Sequence, residues 1–307
     1  MAQVPLRRTL WVQSRAALSA WWPVDWLFAG YLLAVAALVF LYRNRVPHAA
    51  WLLGLHAAGI ALIALCARLG PGTLASLVFR HCYPIPYVYA CYREMSILIP
   101  AIRRLDFDQE MARVDFALWG VHPTVWLERF HQPWLSEFFE IVYGLFVPSV
   151  LFVAFLLWQR RRYADFRYYA FLVSLGFLAS FVGYLLVPVR GPRFLLAHLQ
   201  QVELRGLWSF SAVRDALDFL ESKQYDCFPS GHAELALLAW WSMRRISPGI
   251  FGAYAAYTLC LLLSTVYLRY HYTVDLAAGL LLAIALLPVA RRLYRYLSPK
   301  PEEEFSL

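Results

Sequence analysis

Two short segments of the sequence combine histidines with an acid at a spacing that suits proton transfer and nucleophilic attack. The first reads FPSGH at 228–232, and the second reads STVYLRYHYTVD at 264–275. His271 and Asp275 are four residues apart, so on a helix they share one face and the carboxylate can hold the imidazole in one tautomer. His232 can give or take a proton near neutral pH. We therefore predict that His232, His271 and Asp275 are catalytic residues, with a histidine as the nucleophile.

The residues around these histidines are suited to holding an anion. If a helix begins near Ser230, its free N–H groups and its dipole attract negative charge, and Gly231 lets the backbone approach an oxyanion closely. Arginines, whose forked donors suit phosphate, stand at the ends of other apolar segments: Arg190, Arg193 and Arg269. Together with the two histidines, these residues predict phosphoryl transfer, with Ser230, Gly231 and the three arginines binding phosphate.

Other interpretations of the same residues are open. Two histidines and an acid can bind a metal, but three nearby arginines would repel a cation, so we expect no metal and no cofactor. Arg190 and Arg193 could serve as anchors at a membrane interface. A transporter or binding protein for anionic lipids could also use the Pro-Ser-Gly-His segment. The His271–Asp275 pair favours an enzyme, because binding an anion requires no oriented imidazole.

The composition indicates that these residues belong to a membrane protein. Of the 307 residues, 61% are hydrophobic and only 16% are charged, whereas soluble domains carry about 25% charged residues. The net charge of +8 comes from short basic runs between apolar segments, which argues against a nucleic-acid partner. We predict an all-α, polytopic transmembrane helix bundle, integral to a bacterial inner membrane.

Segments of about 20 apolar residues are long enough to cross a bilayer. Seven segments qualify if Arg244 and Arg245 lengthen the reach of the shortest one, and they are 24–42, 48–67, 141–158, 166–187, 232–243, 249–268 and 272–290. Residues 84–101 contain Arg93 and Glu94 and favour an interfacial or re-entrant helix, so the prediction is seven or eight spans. We divide the chain into N-terminal membrane helices with an outer interfacial segment (1–137), a catalytic helical core (138–295) and a cytoplasmic tail (296–307).

Basic runs predict the orientation of the last five spans. Arginines at 160–162, 244–245 and 291–292 fall on one side, which the positive-inside bias makes cytoplasmic. The histidine motifs then share the opposite side, so we expect the active site at the outer membrane interface, facing away from the cytoplasm. The sequence does not decide on which side of the membrane the N-terminus lies, because two sets of arginines favour opposite sides. Those that favour the inside are Arg7, Arg8 and Arg15, and those that favour the reverse are Arg43 and Arg45.

At its histidine motifs the chain resembles the type 2 phosphatidic acid phosphatase superfamily, over roughly residues 100–290. The second motif of that superfamily, Pro-Ser-Gly-His, is intact at 229–232. The third motif is Ser-Arg, five residues, His, three residues and Asp, and it matches at Ser264, His271 and Asp275. The two motifs occur in the expected order and at helix ends.

Two departures from the superfamily pattern resemble the branch of inositol phosphorylceramide synthase. The arginine position of the third motif is Thr265, and an arginine stands at 269 instead. The first motif, Lys, six residues and Arg-Pro, is not matched, and the stretch reads RGPR at 190–193.

The resemblance implies a metal-independent lipid phosphatase or inositolphosphotransferase-like enzyme whose partner is a lipid phosphate or phospholipid. His271 would take the phosphoryl group with Asp275 orienting it. His232 would protonate the leaving alcohol and later activate the acceptor, while Ser230, Gly231 and the arginines would hold the phosphate oxygens. The sequence does not predict the oligomeric state.

Overall fold

The computed structural model describes residues 20–69, 74–220 and 225–298, together with 305 and 307. Within these ranges the regular structure is helical, so the all-α prediction is confirmed. The α-helices are, in chain order, α1 Pro23–Leu41, α2 Ala49–Ala67, α3 Leu74–Cys82, α4 Pro84–Ile102, α5 Asp108–Trp119, α6 Pro123–Trp126, α7 Pro133–Gly144, α8 Phe146–Gln159, α9 Tyr163–Leu186, α10 Pro192–Leu195, α11 Phe210–Leu220, α12 Gly231–Met243, α13 Pro248–Tyr267 and α14 Thr273–Leu297. Two 3-10 segments, Leu127–Phe130 and Ala197–Leu199, follow α6 and α10.

Among the described residues, five helices are long and apolar enough to cross a membrane: α1, α2, α9, α13 and α14. Helices α7 and α8 join at a bend of 46° and together would make a sixth. The multiple candidate spans confirm an integral membrane protein, but the predicted total of seven or eight is not reached. Helix α12 has only 13 residues, which is about 20 Å at 1.5 Å per residue and is shorter than a bilayer core of about 30 Å.

The bend between α7 and α8 falls at Leu145, inside the predicted span 141–158. The expected division of the chain at residue 137 falls inside α7, so that helix belongs to both expected segments. The N-terminal arginines on which the orientation of the first helix depends lie outside the described residues, as does most of the expected tail.

Helix α4, the segment that the sequence left between a span and a re-entrant turn, is a continuous helix of 19 residues. At its start, the Tyr83 hydroxyl donates to Asp25 near the beginning of α1. Just past its end, Arg103 donates to the Leu186 carbonyl at the end of α9. Helix α4 therefore runs alongside α9 towards the end of the bundle where α9 stops. Its acid, Glu94, is buried and lies 3.2 Å from His56 of α2, which gives the charge a partner inside the bundle.

Helix α12 is the centre of the bundle and contacts α8, α9, α13 and α14. Nine of its 13 residues are buried, because a helix that is apolar on all sides is stable only where other helices surround it. The central position holds the start of α12, and with it His232, at a fixed place among the neighbouring helix ends.

Candidate active site

The two histidine motifs meet where α12 and α14 begin. The Ser230 N–H, just before α12, donates to the Asp275 carbonyl of α14 at 3.0 Å. Gly279, one turn further along α14, lies against the Ser230 carbonyl so closely that a Cβ atom there would overlap it. The absence of a side chain at Gly279 therefore allows the two helix starts to approach each other.

The three predicted catalytic residues lie in one cluster. His271 Nε2 is 3.3 Å from His232 Nδ1, and His271 Nδ1 is 3.5 Å from Asp275 Oδ2. Asp275 is fully buried and His271 is 3% exposed. An acid facing Nδ1 favours the tautomer that carries its proton on that nitrogen, which leaves the lone pair of Nε2 directed at His232.

Cys227 is a further member of the cluster that the sequence did not single out. Its Sγ donates to Asp275 Oδ2 at 2.9 Å and lies 3.3 Å from His271 Nδ1. Burial, and then the neighbouring Asp275 carboxylate, raise the pKa of the Cys227 thiol well above its ordinary value. Cys227 is therefore a neutral thiol that donates to the acid, and it lies beside both the acid and the imidazole.

The position of Cys227 bears on the possibility of a metal. In the described part of the chain, Cys227, His271 and Asp275 are a group whose potential ligand atoms all lie within 4.8 Å of one another. The Cys227 thiol donates to Asp275, and Asp275 faces His271 Nδ1. Contacts among the three side chains therefore account for an oriented histidine without a metal.

Aromatic rings enclose His232. The ring of Tyr143, from α7, stacks on the imidazole with centroids 4.5 Å apart, and the ring of Phe146 from α8 lies 4.3 Å away. On its other face, Tyr143 stacks on Tyr270 at 4.4 Å. The bend between α7 and α8 thus presents two rings to one histidine, and it forms an apolar wall on one side of the cluster.

The predicted phosphate ligands at the start of α12 have protein partners. The Ser230 hydroxyl accepts from the Ala233 N–H at 3.3 Å and caps the helix, as serine commonly does at this position. A Cβ at Gly231 would lie 2.8 Å from the Tyr184 hydroxyl, so this glycine is required by close packing against α9. Both residues adjoin His232, and phosphate binding by them stays a prediction.

The three predicted arginines have different surroundings. Arg190 is exposed, and its guanidinium lies over the ring of Phe194 at 4.8 Å. Arg193 forms an ion pair with Asp218 of α11 at 2.9 Å and lies over the Tyr270 ring at 5.2 Å. Two stacked rings, Tyr270 and Tyr143, therefore separate the Arg193 guanidinium from the His232 imidazole.

Arg269 is committed to contacts within the protein, which differs from its expected role as a phosphate ligand. One terminal nitrogen donates to Glu128 at 2.8 Å and to the Val202 carbonyl at 2.6 Å, and the other donates to Gln200 at 3.2 Å. Burial lowers the pKa of Arg269, and the adjacent Glu128 opposes this change. The arginine that the sequence places close to His271 thus secures neighbouring loops, and its carbonyl accepts from the Arg193 N–H at 3.1 Å.

Arg214 of α11 is a further arginine near the cluster, and the sequence motifs do not indicate it. Its guanidinium lies over the Tyr270 ring at 5.4 Å, donates to the Tyr270 hydroxyl at 3.3 Å and pairs with buried Glu140 at 3.5 Å. Arg193 and Arg214 therefore both contact Tyr270. The only sequence signal was indirect: 210–220 is too polar for a span, yet it places Arg214 and Asp218 four residues apart on one helix face.

The sequence profile of the PAP2 superfamily matches residues 109–289, which is more than half of the chain. Neither the curated proteins nor the solved structures give a significant match. The matched region runs from α5 into α14 and contains the cysteine, the two histidines, the acid and the arginines described above. With both superfamily motifs meeting at the starts of α12 and α14, this integral membrane protein belongs to the PAP2 superfamily, whose members are phosphatase-like enzymes.

Proposed function

We propose that the protein is a metal-independent lipid phosphatase or phosphotransferase that acts through a phosphohistidine at His271. The observation that carries the proposal is the contact of 3.3 Å between His271 Nε2 and His232 Nδ1, with Asp275 on the far side of His271. One imidazole is oriented by an acid and has a lone pair to offer, and the other faces that lone pair. This is the arrangement that a nucleophile and an acid–base partner require.

The proposed reaction has two steps. In the first, His271 Nε2 attacks the phosphorus, the bond to the lipid alcohol oxygen breaks, and His232 gives that oxygen a proton. In the second, His232 takes a proton from water or from an acceptor alcohol, whose oxygen attacks phosphorus and breaks the P–N bond. Both imidazoles then regain their first protonation states. Because the two rings are in contact, the phosphoryl group has to enter between them, and His232 moves aside in its aromatic pocket.

Arginine charge would stabilise the phosphate oxygens as negative charge develops on them. Arg193 and Arg214 are the best candidates, because both guanidiniums contact Tyr270 next to the histidines. Arg190 is on the same loop as Arg193, and its exposed side chain is available to the same phosphate. The Gly231 and His232 N–H groups at the start of α12 add a helix N-terminus to the set.

A lipid substrate fits this location, because the histidines lie at the ends of apolar helices, where phospholipid phosphates are found. We further propose that the site faces away from the cytoplasm of a bacterium. The basic runs support this orientation: Arg162, after α8, donates to the Arg245 carbonyl, after α12, at 2.8 Å. Two of the three runs therefore cluster at the end of α12 that is opposite to His232, as the positive-inside bias requires.

Hydrolysis and transfer differ only in the oxygen that attacks the phosphohistidine. The resemblance to the inositol phosphorylceramide synthase branch, at 190–193 and 264–275, favours a lipid or polyol alcohol as the acceptor. The wall of Tyr143 and Phe146 against His232 is consistent with this choice, because it limits the access of water to the base. The alternative function is binding of an anionic lipid without turnover. That function would not require Asp275 to orient His271.

The test is to incubate the purified protein with a panel of radiolabelled lipid phosphates and phospholipids, with and without added polyols, in the presence of EDTA. We expect turnover by the wild type and none by His271→Ala, with labelled phosphate esters of the added alcohol identifying a transferase and labelled free phosphate a phosphatase. Binding of the substrates without any turnover would refute the proposed enzymatic function. Activity that is lost with EDTA and restored by a divalent ion would refute the metal-independent reaction.

A further inference from the structure

Helix α5 places a line of side chains against the active-site loops. Asp108, Ala112, Asp115 and Trp119 are spaced four, three and four residues apart, so they share one face of the helix. Asp108 and Asp115 are 4% and 1% exposed, and buried carboxylates need strong hydrogen-bond partners. Their partners are backbone groups of the two loops that carry the arginines and the histidine nucleophile.

Asp108 joins the arginine loop to the histidine loop. Its two oxygens accept from the Arg190 N–H and the Gly191 N–H, each at 2.8 Å. The Tyr272 hydroxyl, from the residue after His271, also donates to Asp108, at 3.2 Å. Gly191 has a φ of 108°, and a Cβ there would lie 2.9 Å from the Tyr270 carbonyl. The two loops are therefore in direct contact, and Asp108 holds both.

Asp115 caps the helix that carries Asp275. Its oxygens accept from the Thr273 N–H at 2.8 Å, the Val274 N–H at 2.9 Å and the Thr273 hydroxyl at 2.7 Å. Trp119 donates to the same hydroxyl at 2.8 Å. The N–H groups at the start of a helix lack acceptors within the helix. Here Asp115 of α5 supplies the acceptors for two of them. The cap lies between His271 and Asp275 in the chain.

We propose that Asp108 and Asp115 are positioning residues for the reaction, and that they act on different parts of it. This inference rests on the proposed function. Asp108 fixes the loop of Arg190 and Arg193, which binds the phosphate. Asp115 fixes the first turn of α14, which sets the geometry of Asp275 and His271. Neither carboxylate belongs to the cluster of reacting groups, because each is saturated by backbone and hydroxyl donors.

The two roles predict different kinetic effects. Asp115→Ala displaces the nucleophile, and a displacement of about 1 Å costs on the order of 10²-fold in rate, so kcat falls about 10²-fold while KM changes little. Asp108→Ala loosens the arginine loop, so KM for a short-chain lipid phosphate rises about 10-fold, with a smaller change in kcat. The control is Glu110→Gln, which removes an exposed charge from the same helix and should change neither constant.

The experiment measures kcat, KM and thermal unfolding for the wild type, the two alanine variants and the control. It also follows amide hydrogen exchange at 189–191 and 273–275. We expect faster exchange at 190–191 in Asp108→Ala and at 273–274 in Asp115→Ala, together with the split between KM and kcat. If an alanine variant does not fold, the matching Asp→Asn variant, which keeps one acceptor oxygen, takes its place and should show the same split at a smaller size.

Two outcomes would overturn the inference and leave the proposed enzyme intact. One is wild-type kinetics in Asp115→Ala or its asparagine counterpart despite faster exchange at the start of α14. The other is a parallel loss of kcat and of substrate binding in both variants, in proportion to the lost thermal stability, which would mean a structural role only. A wild-type protein that turns over no lipid phosphoester in the same assay would instead overturn the proposed function itself.

Discussion

Replacing Gly279 with alanine should disable the active site without removing any chemical group from it. A Cβ at this position would overlap the Ser230 carbonyl oxygen, and it would lie 3.2 Å from both the Ser230 carbonyl carbon and the Ala233 Cβ. Because none of these is the end of a flexible side chain, the start of α12 has to move by about 1 Å to restore van der Waals contact. His232 is in the turn that would move, whereas His271 and Asp275 are held by α14.

A displacement of about 1 Å at a reacting group lowers the rate on the order of 10²-fold, which corresponds to about 2.7 kcal/mol in the activation barrier. The assay is kcat for a lipid phosphate, with thermal unfolding measured on the same preparations. The matched control is Gly252→Ala on α13, where a Cβ meets nothing within 4 Å. Since alanine favours a helix over glycine by about 1 kcal/mol, the control should be fully active and at least as stable as the wild type. Wild-type kcat in folded Gly279→Ala would show that the two helix starts need not meet as closely as described.

Two further substitutions and one chemical modification test the groups around His271. Asp275→Asn should lower kcat about 10³-fold or more, because an amide can present a donor to Nδ1 and move the imidazole proton to the nucleophilic nitrogen; near-normal kcat would refute the orienting role. Cys227 should resist alkylation by iodoacetamide at pH 7 and pH 9 until the protein is unfolded, since burial and Asp275 raise its pKa; rapid labelling of Cys227 in the folded protein would refute a buried, neutral thiol. Asp218→Asn should lower KM about 2- to 5-fold, because the substrate phosphate no longer displaces a half-exposed ion pair worth about 1 kcal/mol or less from Arg193; the control Asp215→Asn, exposed on the same helix, should leave KM unchanged.

The long helices and the His271–Asp275 pair could be predicted because both depend on local sequence. The long apolar segments gave α1, α2, α9, α13 and α14 nearly as they are, since length and hydropathy decide whether a helix can cross a bilayer. The spacing of His271 and Asp275 predicted their contact, although His271 lies before the start of α14 and not on the helix itself. The bend at Leu145 and the central position of α12 could not be predicted, because both depend on which helices pack around them.

The cysteine and the acids of α5 were missed for a physical reason. Nothing in the local sequence singles out Cys227, because its role depends on Asp275, which is 48 residues away in the chain. Asp108 and Asp115 have no local signal either. Their burial follows only when backbone N–H groups from 190–191 and 273–274 have folded against them. A single sequence indicates which groups need a partner, but distant partners are found only in the fold.

The arginines illustrate the same limit most sharply, because their side chains are chemically equal and their partners are not. Arg269 is closest to His271 in sequence, yet Glu128, whose side chain is only 10% exposed, already neutralises it, and withdrawing Arg269 to bind phosphate would leave that charge without its cation. Arg193 has a partner that is 36% exposed, so water can solvate Asp218 when the arginine turns to a phosphate. Arg214 pairs with fully buried Glu140 at the longer distance of 3.5 Å, and it can bind a phosphate only while keeping that contact. The exposure of the competing acid, and not the spacing of the arginine from the histidine, therefore determines which arginine is available to a substrate.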